Sequence, residues 1–99
     1  MTAGRLEIEL PARAVGRDAA VDLLPTDLPE IVVIDTHTLT DILDTEFLLE
    51  LLERVLGTSK SRKLYLRGLT GHQAQGVYYA LPFCELDVAS AAARVKFIP

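Results

Sequence analysis

The sequence predicts an α/β fold, a small single-layer mixed sheet with helices packed on it in the order βαβαβα. Short runs of strand character alternate with segments of helical period, which is the pattern of such folds. One run, Ile31-Val32-Val33-Ile34, is uninterrupted and β-branched, as suits a strand in the middle of a sheet. The clearest amphipathic helix stands between that run and a second strand-like run with short links, the arrangement of a βαβ unit and hence of a parallel pair. At 99 residues the chain reads as one domain, residues 1–99.

Along Arg5–Leu10, Leu6, Ile8 and Leu10 alternate with Arg5, Glu7 and Glu9. Period two predicts an edge or half-covered strand, ended by Pro11, which has no N–H to give a ladder. Gly16–Leu24 reads as a short helix, with Ala20, Leu23 and Leu24 on one side; Pro25 and Pro29 bracket the turn after it. Ile31–Ile34 then reads as a central strand covered on both faces, and Asp35 ends it. The stretch 36–43 is polar and rich in hydroxyls and acids that form local turns.

Asp44–Leu56 is the strongest helix. Phe47, Leu48, Leu51, Leu52, Val55 and Leu56 form one stripe, opposite Glu46, Glu50, Glu53 and Arg54. Burying six such side chains is worth about 10–18 kcal/mol before entropy. Asp44 suits the N-cap, Gly57 the C′ position, and Glu50 with Arg54 an i,i+4 ion pair. Lys63–Leu69 reads as a strand with Leu64 and Leu66 on one face and Tyr65 on the other. Gly71–Leu81 reads as a weaker helix, since Gly76 costs about 1 kcal/mol against Ala, and Pro82 ends it. The tail has two readings. Either Leu86-Asp87-Val88 is a strand before an Ala-rich helical turn, or the Ala run is the helix and 94–98 is the last strand.

With 49% apolar and 24% charged residues, the composition is that of an ordinary globular chain. A net charge of −4 supplies no bulk attraction to nucleic acid or anionic membrane. One Cys excludes an internal disulfide and a multi-cysteine zinc site. The start lacks a basic and then apolar leader, and the longest apolar run, Val77 to Cys84, contains a Pro; these point to a cytoplasmic chain with no membrane insertion. Charge is unevenly placed. Ten acids and no Lys or Arg lie between Asp18 and Glu53, whereas five bases and no acid lie between Arg54 and Arg67. This is either a solvated acidic face with a basic connection or a charged docking face for a partner.

Candidate chemistry is sparse. The glycines match no phosphate-binding pattern. His37 and His72 are far apart in sequence, and Cys84 reads as a small buried hydrophobe. Asp35, Asp41 and Asp44 are oxygen donors suited to magnesium or calcium, but they lack the spacing of a cation loop. Asp35 also ends a strand and Asp44 caps a helix. No catalytic residue, metal or cofactor is therefore expected.

One constellation stands out: Ile31-Val32-Val33-Ile34-Asp35, a short polar stretch, Ile42-Leu43-Asp44-Thr45, and then Phe47-Leu48-Leu49-Glu50-Leu51-Leu52. It resembles the STAS domain of bacterial anti-sigma factor antagonists, and the match extends over about residues 31 to 81, including Leu64-Tyr65-Leu66-Arg67-Gly68-Leu69. Glu46 and Phe47 stand where that family usually has Gly and Leu. The opening strand and helix are similar to a second STAS-like group, whose members need not be phosphorylated. The resemblance implies a non-catalytic regulator of transcription. Thr45 is its phosphorylation site, Asp44 the preceding acid, and an anti-sigma factor or switch kinase the partner. The partner would dock on the loop and helix around Asp41, Asp44, Thr45, Glu46 and Glu50.

The residues give this a physical reading. With Asp44 as N-cap, the Thr45 hydroxyl projects into solvent at the positive end of a helix. A phosphate there adds about −1.5 to −2 charges, opposed by Asp41, Asp44 and Glu46, which suits an off switch. Two other classes stay open. One is a small enzyme or ligand-binding domain using Asp35, His37, His72 and Cys84. The other is an adaptor subunit of a larger complex, for example in lipid transport, where STAS-like domains also occur.

Overall fold

The computed structural model describes residues 4–40 and 43–99. The alternation of Leu6 and Ile8 with charged residues forms β1 (Arg5–Glu9), a strand at the edge of the sheet. Gly16, at φ +87°, turns the chain into α1 (Arg17–Leu23), where Ala20 is fully buried. The β-branched run forms β2 (Ile31–Asp35), and the Leu-rich stripe forms α2 (Thr45–Gly57). β3 (Lys63–Arg67) follows, then α3 (Gly71–Ala80) and a 3-10 turn, Leu81–Phe83, imposed by Pro82. The Ala-rich segment is α4 (Val88–Arg94), and it runs directly into β4 (Val95–Ile98). The second reading of the tail is therefore the observed one, and the chain ends on a strand.

The sheet order is β1-β2-β3-β4, and all three pairings are parallel. The expected mixed sheet is corrected to a wholly parallel one. Every strand is followed by helix before the next, so each crossover brings the chain back in the same direction. Right-handed crossovers in sequential order place all the helices on one face. The core shows this. Val32, Ile34, Leu64, Leu66 and Val95 belong to the cluster formed with the helices, whereas Val33 does not.

The expectation that β2 is covered by helices on both faces is corrected accordingly. Val33 is 1% exposed although no helix lies over it. Its cover comes from neighbouring strands: Arg67 of β3 reaches across β2 to Glu7 of β1 at 3.0 Å, and Arg5 and Tyr65 flank Val33 on the same face.

The six stripe residues of α2 are all buried, as is Leu49, because α1 packs alongside and widens the buried face. At the other end of α2, Gly57 is the last helical residue and not a left-handed C′ residue. Two arginines from elsewhere do the capping. Arg62, 7% exposed, donates to Val55 O at 3.0 Å, Pro29 O at 2.8 Å and Leu28 O at 2.9 Å, and also to Thr58 Oγ1. Arg94 donates to Leu56 O at 2.9 Å, Ser59 O at 2.6 Å and Arg62 O at 3.1 Å. Two guanidinium groups thus replace the glycine turn and sit at the negative end of the helix dipole. The basic run from Arg54 to Arg67 is accordingly no single face, since Arg62 is interior and Arg54, within α2, pairs with Glu50 at 2.7 Å. Among the described residues, no helix is long and apolar enough to cross a membrane.

Candidate functional site

The candidate site lies at the carboxyl edge of the sheet. It is built by the connection from β2 to α2. Asp35 ends the strand and folds the chain back on itself: its Oδ1 accepts from the His37 N–H and lies against His37 Nδ1, both at 2.9 Å. These contacts, with the Arg67 guanidinium, hold the Asp35 carboxyl below the usual carboxylate range. Thr36 is buried, and its N–H and hydroxyl both donate to Arg67 O, at 2.8 and 2.7 Å. The His37 ring lies against Gly68, where a Cβ would come within 2.8 Å of the ring; with φ at +86°, that position admits only glycine without strain. Further on, the Thr40 N–H and hydroxyl donate to Ala12 O at 3.0 and 3.2 Å. Asp41, one of the expected docking residues, lies outside the described residues.

Asp44 is the N-cap of α2. Its Oδ2 accepts from Phe47 N–H at 3.0 Å and from Gly16 N–H at 2.8 Å. The Gly16 and Phe47 N–H groups hold its carboxyl below the usual range, Gly16 more strongly. One carboxylate thus starts α2 and ties the start of α1 to it. Thr45 is the first helical residue and is exposed, and its hydroxyl makes no hydrogen bond among the described residues.

The acidic side of α2 has an internal partner that the sequence pattern did not reveal. Arg17 of α1 reaches Glu46 at 3.0 Å, Glu50 at 3.1 Å and Glu53 at 3.4 Å. Glu50 is shared with Arg54, and the two guanidinium groups, Arg54 first, lower its pKa. Of the expected docking residues, Asp44, Thr45, Glu46 and Glu50 therefore share the first two turns of α2. Asp44 is committed to capping, Glu46 and Glu50 to ion pairs, and Thr45 is left uncommitted.

Beside this helix start is a cavity of about 410 Å³, between the β2–α2 connection and the beginning of α3. Leu43 and Leu48 supply its apolar lining, and Thr40, Thr70, His72 and Gln73 its polar rim. The sequence held one unread signal for it. Thr70 and Gln73 form a capping box, each side chain bonding the other's backbone N–H, which fixes the start of α3 at the cavity edge.

The four groups of the enzymatic reading do not line one cavity. Asp35 and His37 pair with each other, and His72 faces the cavity they do not line. Cys84 is buried, its Sγ against Ala80 O, and burial pushes its thiol up to about 11, away from thiolate chemistry. Asp35 and Asp44 are each committed to separate partners, and no group of three metal-ligating side chains occurs among the described residues. No protein-family model matches the chain, and no curated protein or solved structure matches it either.

Proposed function

We propose that this chain is a non-catalytic regulatory module that binds another protein at the carboxyl edge of its sheet, switched by phosphorylation of Thr45. On this reading it acts as an anti-sigma factor antagonist does, and its partner is an anti-sigma factor or a related switch kinase. One observation carries the reading: an exposed, uncommitted hydroxyl at the first position of a helix whose apolar face is buried, next to a partly apolar cavity. The neutral form docks, with a partner side chain seated against Leu43 and Leu48. A phosphate on Thr45 stands next to Glu46 and the Asp44 carboxylate. It repels an acidic partner surface and presses on the Asp44 carboxylate that accepts from Gly16.

The test is to mix the protein with candidate bacterial switch kinases and ATP and to locate phosphate by mass spectrometry. Phosphate on Thr45, with binding lost in Thr45→Glu and kept in Thr45→Ala, is the expected result. Equal binding by both variants refutes the switch.

A second reading, an adaptor subunit, is favoured by a different surface. Tyr79 and Phe83 are 70% and 75% exposed and lie four residues apart, with Tyr78 and Val88 also exposed. Aromatic side chains of this kind are typical anchors of stable assemblies. Under this reading Phe83→Ala abolishes capture of the partner while Thr45→Glu does not.

A further inference from the structure

From the open face of the sheet we infer that this chain self-associates, two copies stacking these faces about a two-fold axis parallel to the strands. The register places eleven residues on that face. Arg5, Ile31 and Lys63 form one row, Glu7, Val33, Tyr65 and Lys96 the next, and Glu9, Asp35, Arg67 and Ile98 the last. No helix covers them, because all the helices pack on the opposite face. Of the apolar members, Val33 and Tyr65 are central, Ile31 lies in the first row and Ile98 at the β4 corner. Val33 is fully buried, Ile31, Tyr65 and Ile98 are half-buried, and Arg5, Val33, Tyr65 and Ile98 line a hollow of about 230 Å³.

The charges decide what fits there. The acids lie toward β1 and β2 and the bases toward β3 and β4, apart from Arg5. A two-fold axis along the strands sets β1 of one copy over β4 of the other and β2 over β3, without shifting the rows. Glu7 then faces Lys96, Asp35 faces Arg67 and Val33 faces Tyr65, while Ile31 faces Lys63 and Glu9 faces Ile98 at the two ends. The charges at Glu7, Asp35, Arg67 and Lys96 are thus complementary about the axis, as an isologous interface requires. Glu9 and Lys96, which form no ion pair with another described residue, become diagonal neighbours across the interface. Aligned packing of two twisted sheets keeps such facing pairs within reach of long side chains.

The area sets the strength. Four strands of four or five residues cover about 300 Å² in projection, at about 4.8 Å between strands and 3.3 Å per residue. That is below the area of a standard stable interface, so the dimer is weak and reversible.

The test is sedimentation equilibrium of the whole chain from about 10 μM to about 1 mM, at low and high salt. The expected result is a monomer–dimer equilibrium that high salt weakens. Lys96→Glu sets three carboxylates together at each end and weakens association about tenfold or more. Glu9→Lys weakens it less, and the double variant recovers only the diagonal part of the Lys96→Glu loss, because Glu7 still faces the new carboxylate. Both positions are exposed, and thermal unfolding of each variant verifies that the fold is intact. A monomer throughout the range, a dimer indifferent to Lys96→Glu, or a double variant that associates no better than Lys96→Glu would each overturn the inference.

Discussion

Removing the Asp44 carboxylate tests the joint on which the candidate site is built. Asp44→Ala deletes the N-cap of α2, worth about 1 kcal/mol, and a charge-assisted bond to the Gly16 N–H, worth about 1.5 kcal/mol. The expected loss is about 2–3 kcal/mol, or about 10–20 °C in Tm for a chain of this length. Asp44→Asn keeps an oxygen in place and caps nearly as well, so it should lose under 1 kcal/mol at neutral pH. Acid separates the two contributions. The folded Asp44 pKa lies below its unfolded value, so the charged form's extra stability is complete above the unfolded pKa of about 3.9. It is lost as pH falls through the folded value. Asp35 and Glu50, also lowered, titrate in both proteins and cancel in the difference. Urea unfolding at a series of pH values should therefore show a gap between wild type and Asp44→Asn that is constant above about pH 5 and closes below about pH 4. If Asp44→Ala unfolds with wild-type stability, or if the gap does not close in acid, the joint does not act as described.

Three further outcomes follow from the same contacts. Gly68→Ala meets both a φ of +86° and the His37 ring at 2.8 Å, and should lose about 1–3 kcal/mol by thermal unfolding; adding His37→Ala should recover only the contact part. Arg62→Met leaves the carbonyls of Leu28, Pro29 and Val55 without their donor, so urea unfolding should show a loss of about 3 kcal/mol or more, which Arg62→Lys does not rescue because an ammonium cannot span the fork. Cys84, buried and with its thiol pushed up to about 11, should react with an aromatic disulfide reagent at pH 8 far more slowly in the native protein than in urea.

Features written into short stretches of sequence were legible. Alternation at Leu6 and Ile8, the β-branched run of β2 and the stripe of α2 each state a local period, and Asp44 is a residue type whose short carboxylate can reach back to a helix N–H. What escaped the sequence depends on residues far apart in the chain. A run of four apolar residues has the same pattern whether helices cover one face or both, so the sequence could not show that Val33 is roofed by strand neighbours and an ion pair. The arginine caps on α2 come from Arg62 and from Arg94, which lies 38 residues beyond the carbonyl of Leu56. Gly57 looked like the ordinary local solution because nothing nearby announces a guanidinium arriving from a later helix. Arg17 likewise meets Glu46 across 29 residues, and it lays an intramolecular ion network across the acidic face of α2.

A sheet with helices on one side separates two surfaces. The start of α2 belongs to the helix layer, where Asp44 couples it to α1, whereas Glu9, Tyr65 and Lys96 lie on the opposite side of the sheet; Asp35 and Arg67, at the carboxyl edge, belong both to the β2–α2 connection and to the open face. Charge added at Thr45 projects into solvent on the helix side, where water and salt screen it, and every strand residue between the two surfaces is held in register by its neighbours. Switching and self-association should therefore be independent. Thr45→Glu should abolish partner binding yet leave the monomer–dimer constant within about twofold, whereas Lys96→Glu should do the reverse. Were Thr45→Glu to shift the sedimentation profile as well, the two surfaces would be coupled through the sheet, and separation by the helix layer would be the wrong account of how this fold is used.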